Sequence, residues 1–507
     1  MNANLLLPLR QNIFNINTMR KLLFFLAACL IAFAACAQDI SFDSLKAQLG
    51  DKSLPLININ VEIDKVSKPA YTNATIEIAD PQKRTDKTNV VTTFACKVKY
   101  RGNSAVYYDK KSFGVKLLNT QGEELDANLF GLRKSDTWIL NAMAIDRLRM
   151  RNRVNFDVWN DMSATPYSTD LNRRNGTKGI FVELFINGSY QGLYCFTDKV
   201  NRKLLGLKKT GKDDDGKPVI KGVLYKGKEW GPATFLYGYK DEDMNGTMWN
   251  GWELEYPEDH PCPDAYMPLK DFIDYCENST DDEFKSGINK RFYWQNFIDY
   301  QVFFLAQGLG DNYMKNTFLS IVNTQKGRCM MVTPWDLDCS LGGYWDGSRK
   351  SDVATLSTIM CVGLYNRLWQ YNVNNYKSAV ASRWRELHET TLSEQAFCAR
   401  LDAYASAFIE SGAWQREYNK WNGNPVELQQ DITQEVNYVK DWYKRNCRNL
   451  EDNIYHGITS DPGAVSPTVA DHDTTTGNTA TFNLAGQKVD DSYKGIVIKN
   501  RKKILKR

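Results

Sequence analysis

Asp311 and Asn316, followed by Asp336 and Asp338, are the residues whose types and spacing could do chemistry. They sit in the stretch GDNYMKNTFLSIVNTQKGRCMMVTPWDLD, residues 310–338. An apolar run follows Asn316 (Phe318 to Val322), then a polar turn with Gly (Asn323 to Gly327). A second apolar run (Cys329 to Val332) ends in Pro-Trp-Asp-Leu-Asp. This pattern predicts a β-hairpin that returns beside the Asp311–Asn316 loop, so that the polar side chains converge. Phosphoryl transfer needs such a set. One carboxylate sits near the attacking hydroxyl, and an amide oxygen and a second carboxylate hold the Mg²⁺ that neutralises the phosphates. Two surface turns around an ordinary hairpin would give the same short spacing.

The elements that must position these residues are legible around them. Ile298, Val302, Leu305 and Leu309 recur at helical spacing, and Gly308 and Gly310 end that helix just before Asp311. Upstream, Pro55 to Ile63, Ala74 to Ile78, Phe94 to Tyr100 and Ser112 to Leu117 alternate with period two and predict strands. Arg101-Gly102-Asn103-Ser104 separates the last two as a turn. Trp138 to Ala144 is a further apolar run, and Asp146 opens a helix-like segment. Phe181 to Phe196 reads as a hairpin with an Asn187-Gly188 turn. From Asn375 to Tyr455 the helical period dominates. The order is β-rich first, then helical: an α+β chain in two lobes, about 55–200 and 201–457. A linker is expected at 38–54 and another at 458–480, where Pro, Thr, Asp and Gly are frequent.

The chain has 507 residues, 42% hydrophobic, with 64 basic and 60 acidic residues well mixed and a net charge of +4. No basic stripe stands out in the sequence, which argues against a nucleic-acid partner. Met19-Arg20-Lys21, the apolar Leu22 to Phe33 and the small residues to Gln38 predict an export signal within residues 1–37. The apolar run is too short for a membrane span. Cleavage before Gln38 gives soluble export, which the residues favour, whereas lipidation would anchor the chain at Cys36. Both place it in the periplasm, at the outer-membrane surface or outside the cell. Nine cysteines follow Cys36 without a C-x-x-C pair, and the four His are scattered, so a thiolate or zinc centre is not expected. Cys262 and Cys276 are one pairing that an oxidising compartment would allow.

A phosphate-handling site also needs cations. Lys111 precedes the strand Ser112–Leu117, Lys116 lies within it, and Arg101-Gly102-Asn103-Ser104 could act as a reduced phosphate loop through its N–H groups and Arg101. The helix after this strand offers no Glu to orient the Lys, so Asp146 or Glu183 would have to do it.

Together these blocks resemble the spore coat protein H (CotH) kinase family. They are RGNSAVYYDKKSFGVKL, WILNAMAIDRLRMRN, VELFINGSYQGLYCFTDKV, GLGDNYMKN and MVTPWDLDCSLGG, with EVNYVKDWYKRNCRNLED as a closing helix. The resemblance covers about residues 55–455. It implies an atypical protein-kinase-like fold and transfer of phosphate from ATP, with Mg²⁺ or Mn²⁺, to Ser or Thr of secreted or cell-surface proteins. Carried across, Asp311 resembles the catalytic Asp. Asn316 and Asp336 resemble metal ligands, with Asp338 the alternative in a register shifted by two. Lys111 resembles the nucleotide-phosphate Lys, and Asp198 stands where the block usually has Glu. Leu224-Tyr225-Lys226-Gly227 replaces a more acidic segment of many members. The tail, residues 481–507, resembles C-terminal segments of exported Bacteroidetes proteins and suits a sorting signal. The competing readings are a transferase of a nucleotide or an amino acid on the same fold and an inert surface-binding protein. A glycosidase using Asp336 and Asp338 is disfavoured, because residues two apart on a strand lie side by side and do not flank a sugar.

Overall fold

Period-two alternation in the first 200 residues builds a closed barrel. The computed structural model describes residues 40–168 and 174–459, and the strands of the C-terminal segment. The barrel strands are β1 (Leu56–Val61), β2 (Thr72–Ala79), β3 (Val91–Arg101), β4 (Ser112–Leu118), β5 (Thr137–Asn141), β6 (Gly179–Ile186) and β7 (Ser189–Asp198). They close in the order β1-β2-β3-β4-β5-β7-β6. All neighbours are antiparallel except β1 and β6, whose parallel pairing from Leu56↔Glu183 to Ile59↔Ile186 seals the barrel. The inward residues, among them Ile57, Ile76, Val98, Val115 and Phe196, form one apolar core. The β-rich half is therefore present as expected, but its sheet is a closed barrel of seven strands. The Asn187-Gly188 turn joins β6 to β7 with both residues at positive φ (50° and 80°), the twist a tight hairpin needs.

Helix α1 (Phe42–Lys46) precedes the barrel, inside the stretch expected to be a linker. Its Phe42 packs edge-on against Phe185 of β6 at 5.4 Å. Helix α2 (Arg151–Met162) lies between β5 and β6. The Asp146 carboxylate caps its approach, accepting from the Leu148 and Arg151 amides at 2.9 and 2.8 Å.

After the barrel come α3 (Arg202–Leu205), the hairpin β8 (Gly211–Lys212) and β9 (Pro218–Val219), and a second sheet. That sheet comprises β10 (Val223–Gly227), β11 (Met248–Trp249), β12 (Trp252–Tyr256), β13 (Thr317–Ile321) and β14 (Met331–Pro334), ordered β11-β12-β10-β13-β14. The helices are α4 (Pro263–Asn278), α5 (Asp281–Arg291), α6 (Trp294–Gln307), α7 (Leu356–Met360), α8 (Gly363–Tyr371), α9 (Tyr376–His388), α10 (Glu394–Glu410), α11 (Ala413–Trp421) and α12 (Ile432–Asn449). Helix α6 is apolar on nearly every face and is buried from Trp294 to Gln307 but for Gln295, as a central helix must be.

A buried charge cluster ties helices to barrel. Glu417 of α11 accepts from Lys110 Nζ (2.6 Å), Arg149 Nε (2.7 Å) and the Leu193 amide of β7 (2.7 Å). The nine cysteines of the described residues are free thiols. The Cys262–Cys276 pairing fails on geometry: Cys262 caps α4 and Cys276 lies 14 residues along it, a rise of about 21 Å. Among the described residues no helix is long and apolar enough to cross a membrane. The export signal and Cys36 lie outside the described residues. Residues 466–507 form a separate unit, whose β15 (Thr481–Asn483), β16 (Lys488–Val489), β17 (Gly495–Lys499) and β18 (Lys502–Lys506) make an antiparallel sheet.

Candidate active site

Helix α6 ends where the sequence requires. Gly308 takes the left-handed C-cap conformation at φ 58°, and a Cβ there would strike the Trp442 ring. The chain then delivers Asp311 into a cleft of about 1220 Å³, which Asn316, Asp336 and Asp338 also line. Asn316 Nδ2 donates to Asp311 Oδ2 at 2.7 Å, and Lys315 Nζ donates to both Asp311 oxygens at 2.8 and 3.1 Å. The amide thus orients Asp311 while its own oxygen stays available as a ligand.

The hairpin β13–β14 returns Asp336 and Asp338 beside this loop, as the spacing predicts. Asn312 Nδ2 donates to the carbonyls of Asn316 (3.0 Å) and Trp335 (2.6 Å), and the Trp335 amide donates to Asn316 O (3.0 Å). Asn296 of α6 pairs with both backbone groups of Val332, fixing β14 against the helix. Asn316 and Asp336 are held at φ 54° and 56°, a conformation that Asn and Asp tolerate best among residues with a Cβ. Strand β14 stops at Pro334, so the two aspartates lie in the loop after it and not on one strand face. Asp336 is exposed to the cleft, whereas Asp338 is deeper.

The cations arrive differently from the sequence reading. Arg101, Asn103, Ser104 and Lys116 line the cleft, but Lys111 and Asp198 do not. Lys111 turns its ammonium back onto Val106 O (2.8 Å), closing its own turn. Asp198 is buried as the partner of Arg133 (2.7 Å) and the Lys178 amide (2.9 Å), a structural role at the end of β7. Nor do Asp146 and Glu183 orient a cleft lysine, for they bind Arg151 and Arg416. Lys116 is paired with Glu124 at 2.7 Å.

Lys226 of β10 lines the cleft, where Lys111 does not. It pairs in register with Phe318 of β13, and the Asn316 amide donates to the next carbonyl, Gly227 O, at 2.9 Å. Lys226 Nζ and the Arg101 guanidinium lie 5.9 and 5.8 Å from the centre of the Trp335 ring, beside Asp336. Neither cation has an ion pair within 4 Å among the described residues. Burial, and to a lesser degree Arg101, push Lys226 below the usual lysine range, against the pull of Glu255. Burial opposes the charge of Glu255 too, but Lys199 (2.8 Å away) and Lys226 outweigh it and hold its carboxyl below the usual range. A lone Lys in the buried run Val223–Gly227 was the available signal for this residue. Gly227 is required, because a Cβ there would run into Met314 O in the Asp311 loop.

The acids repel one another. Burial raises Asp311 above the usual carboxylate range, with Asp336 adding to the rise and Lys315 opposing it. Burial raises Asp338 further, helped by Asp336, Asp146 and Asp311. Among the described residues no three His, Cys, Asp or Glu side chains form a ready cation cage. The donors fit a cation of another kind: Asp336 and the Asn316 oxygen are hard ligands, few in number, beside cations suited to phosphate. Mg²⁺ takes such sites, completing its shell with phosphate oxygens and water.

The chain is thus an α+β protein with a seven-stranded barrel and a helical region around a cleft that joins two acidic loops to two free cations. It belongs to the CotH kinase protein family, whose family model matches residues 98–450. No curated protein matches it.

Proposed function

We propose that this protein is an exported phosphotransferase that moves the γ-phosphoryl group of ATP to Ser or Thr of secreted or cell-surface proteins. The observation that supports this most is the convergence of Asp311, Asn316 and Asp336 with Arg101 and Lys226 in one cleft. In this reading the acceptor hydroxyl gives its proton to Asp311 as its oxygen bonds to the γ-phosphorus. The bond from that phosphorus to the bridging oxygen breaks, and ADP leaves. Arg101 and Lys226 stabilise the charge on the phosphate oxygens. Asn316 and Asp336, with Asp338 behind them, would hold Mg²⁺ or Mn²⁺, which screens the phosphates. Lys315 and Asn316 keep the Asp311 carboxylate aimed. Asn103 and Ser104, on the exposed turn after β3, line the cleft and in this reading would meet phosphate oxygens.

Nucleotide-induced thermal shifts test the cation assignment. Lys226→Met is expected to weaken ATP binding at least tenfold, about 1.4 kcal/mol. Lys111→Met is expected to stay within twofold of wild type. Equal losses, or a larger loss at Lys111, would return the phosphate contact to Lys111 and remove Lys226 from the site.

A further inference from the structure

Three cations stand in a row on the outer face of the barrel, Arg101 and Lys99 lining the cleft and Lys97 lying beyond it. Lys97, Lys99 and Arg101 alternate along β3 with Cys96 and Val98, which are buried inside it. The register of β3 with β4 sets Lys97 opposite Lys116, and like charges in that position destabilise a sheet. Lys99 and Lys116 place their ammonium groups 4.8 and 5.6 Å from the centre of one ring, Tyr71. Of these lysines only Lys116 has a carboxylate within ion-pair distance among the described residues. Burial and the neighbouring Lys199 and Arg101 work against the charge on Lys99, with Glu258 the compensating acid. A folded chain carries such self-repulsion at a cost, and an anionic partner relieves it.

The row also has a direction. Arg101, at its inner end, lies over Trp335 beside Asp336, and from there Lys99 and Lys97 lead away along the strand. Alternate residues of a strand are about 6.6 Å apart, which is also the spacing of alternate side chains in an extended peptide.

We propose that the outer face of β3 docks an acidic, extended segment of a polypeptide acceptor, with carboxylates two residues apart facing Lys99 and Lys97. This rests on the phosphotransfer reading only in taking Asp311 and Asp336 as the reacting end. Complementary charge favours a polyanion, and the ring favours a peptide over nucleic acid. Single-stranded nucleic acid is held by bases stacked on free aromatic faces, and Tyr71, the ring beneath this row, already carries two ammonium groups.

Fluorescence anisotropy tests it on the purified protein with a labelled peptide, Ser followed by Gly and Glu in alternation, and its Gln counterpart. The Glu peptide is expected to bind at least tenfold tighter than the Gln peptide in low salt and to weaken as salt rises. The double variant Lys97→Ala/Lys99→Ala should lose at least tenfold in Glu-peptide affinity, and Lys97→Ala alone, at a residue outside the cleft lining, should lose part of it while its thermal shift with ATP and Mg²⁺ stays that of wild type. Equal binding of the two peptides, undiminished binding by the double variant, or tighter binding of an oligo-dT of equal length would overturn the docking surface. So would an ATP shift that falls together with peptide affinity in Lys97→Ala, since the row would then belong to the nucleotide. Peptide binding through Lys97 and Lys99 without any ATP shift would leave the surface standing and remove the phosphotransfer reading instead.

Discussion

Asp311→Asn is expected to lower turnover by about two to four orders of magnitude, the usual worth of a positioned general base, and to leave ATP binding nearly unchanged. The expectation follows from where the carboxylate sits. It lies just after the end of α6, held by Lys315 and Asn316, and among the described residues it forms no ion pair with Arg101 or Lys226. Asn keeps the shape and the hydrogen bond with Asn316 but cannot take the acceptor proton. The check is a pair of measurements on one preparation: phosphate transfer to a protein acceptor, and the shift in unfolding temperature with ATP and Mg²⁺. Wild-type rates in the variant would remove Asp311 from the chemistry. Loss of the ATP shift would make it a nucleotide or metal contact.

The second large effect is on stability. Glu417→Ala is expected to cost about 3–5 kcal/mol, because it strands Lys110 and Arg149, both fully buried, without their shared carboxylate. Against a total of about 5–15 kcal/mol this leaves a marginal fold. Urea unfolding followed by circular dichroism reads the loss directly; a change under about 1 kcal/mol would show that the cluster does not hold helices to barrel. The same cluster has a pH signature. Burial drives Lys110 from 10.5 down to about 7, against the pull of Glu417. Between those values the unfolded chain holds a proton that the folded chain has released, so stability rises with pH across that window. Lys110→Met should flatten this rise, because the titrating amine is gone.

Local patterns in the sequence translated well into structure. The Asn187-Gly188 hairpin, the helix ending at Gly308 and the β13–β14 return beside Asp311 all depend on residues close in sequence, where spacing and turn chemistry decide. What the sequence left illegible depends on distant partners. Lys226 enters the cleft because β10 pairs with β13, some 90 residues on, and no local period reports that pairing. Lys110 and Lys111 look alike in sequence. Glu417, 307 residues after Lys110, is what holds Lys110 in the interior, whereas the ammonium of Lys111 closes a local turn on Val106 O. Barrel closure likewise turns on the parallel contact of β1 with β6. Motif position alone points Asp198 to the site, whereas the fold pairs it with Arg133, 65 residues earlier.

The most direct test of the central claim is intact mass spectrometry of a surface-protein acceptor after incubation with this protein, ATP and Mg²⁺, beside the same reaction with Asp336→Ala. A phosphate adduct of about 80 Da on Ser or Thr with wild type, absent with Asp336→Ala although that variant unfolds at a normal temperature, is the result expected. A nucleotide or amino-acid adduct, or an unmodified acceptor from a wild-type protein that also shows no ATP-induced shift, would contradict it.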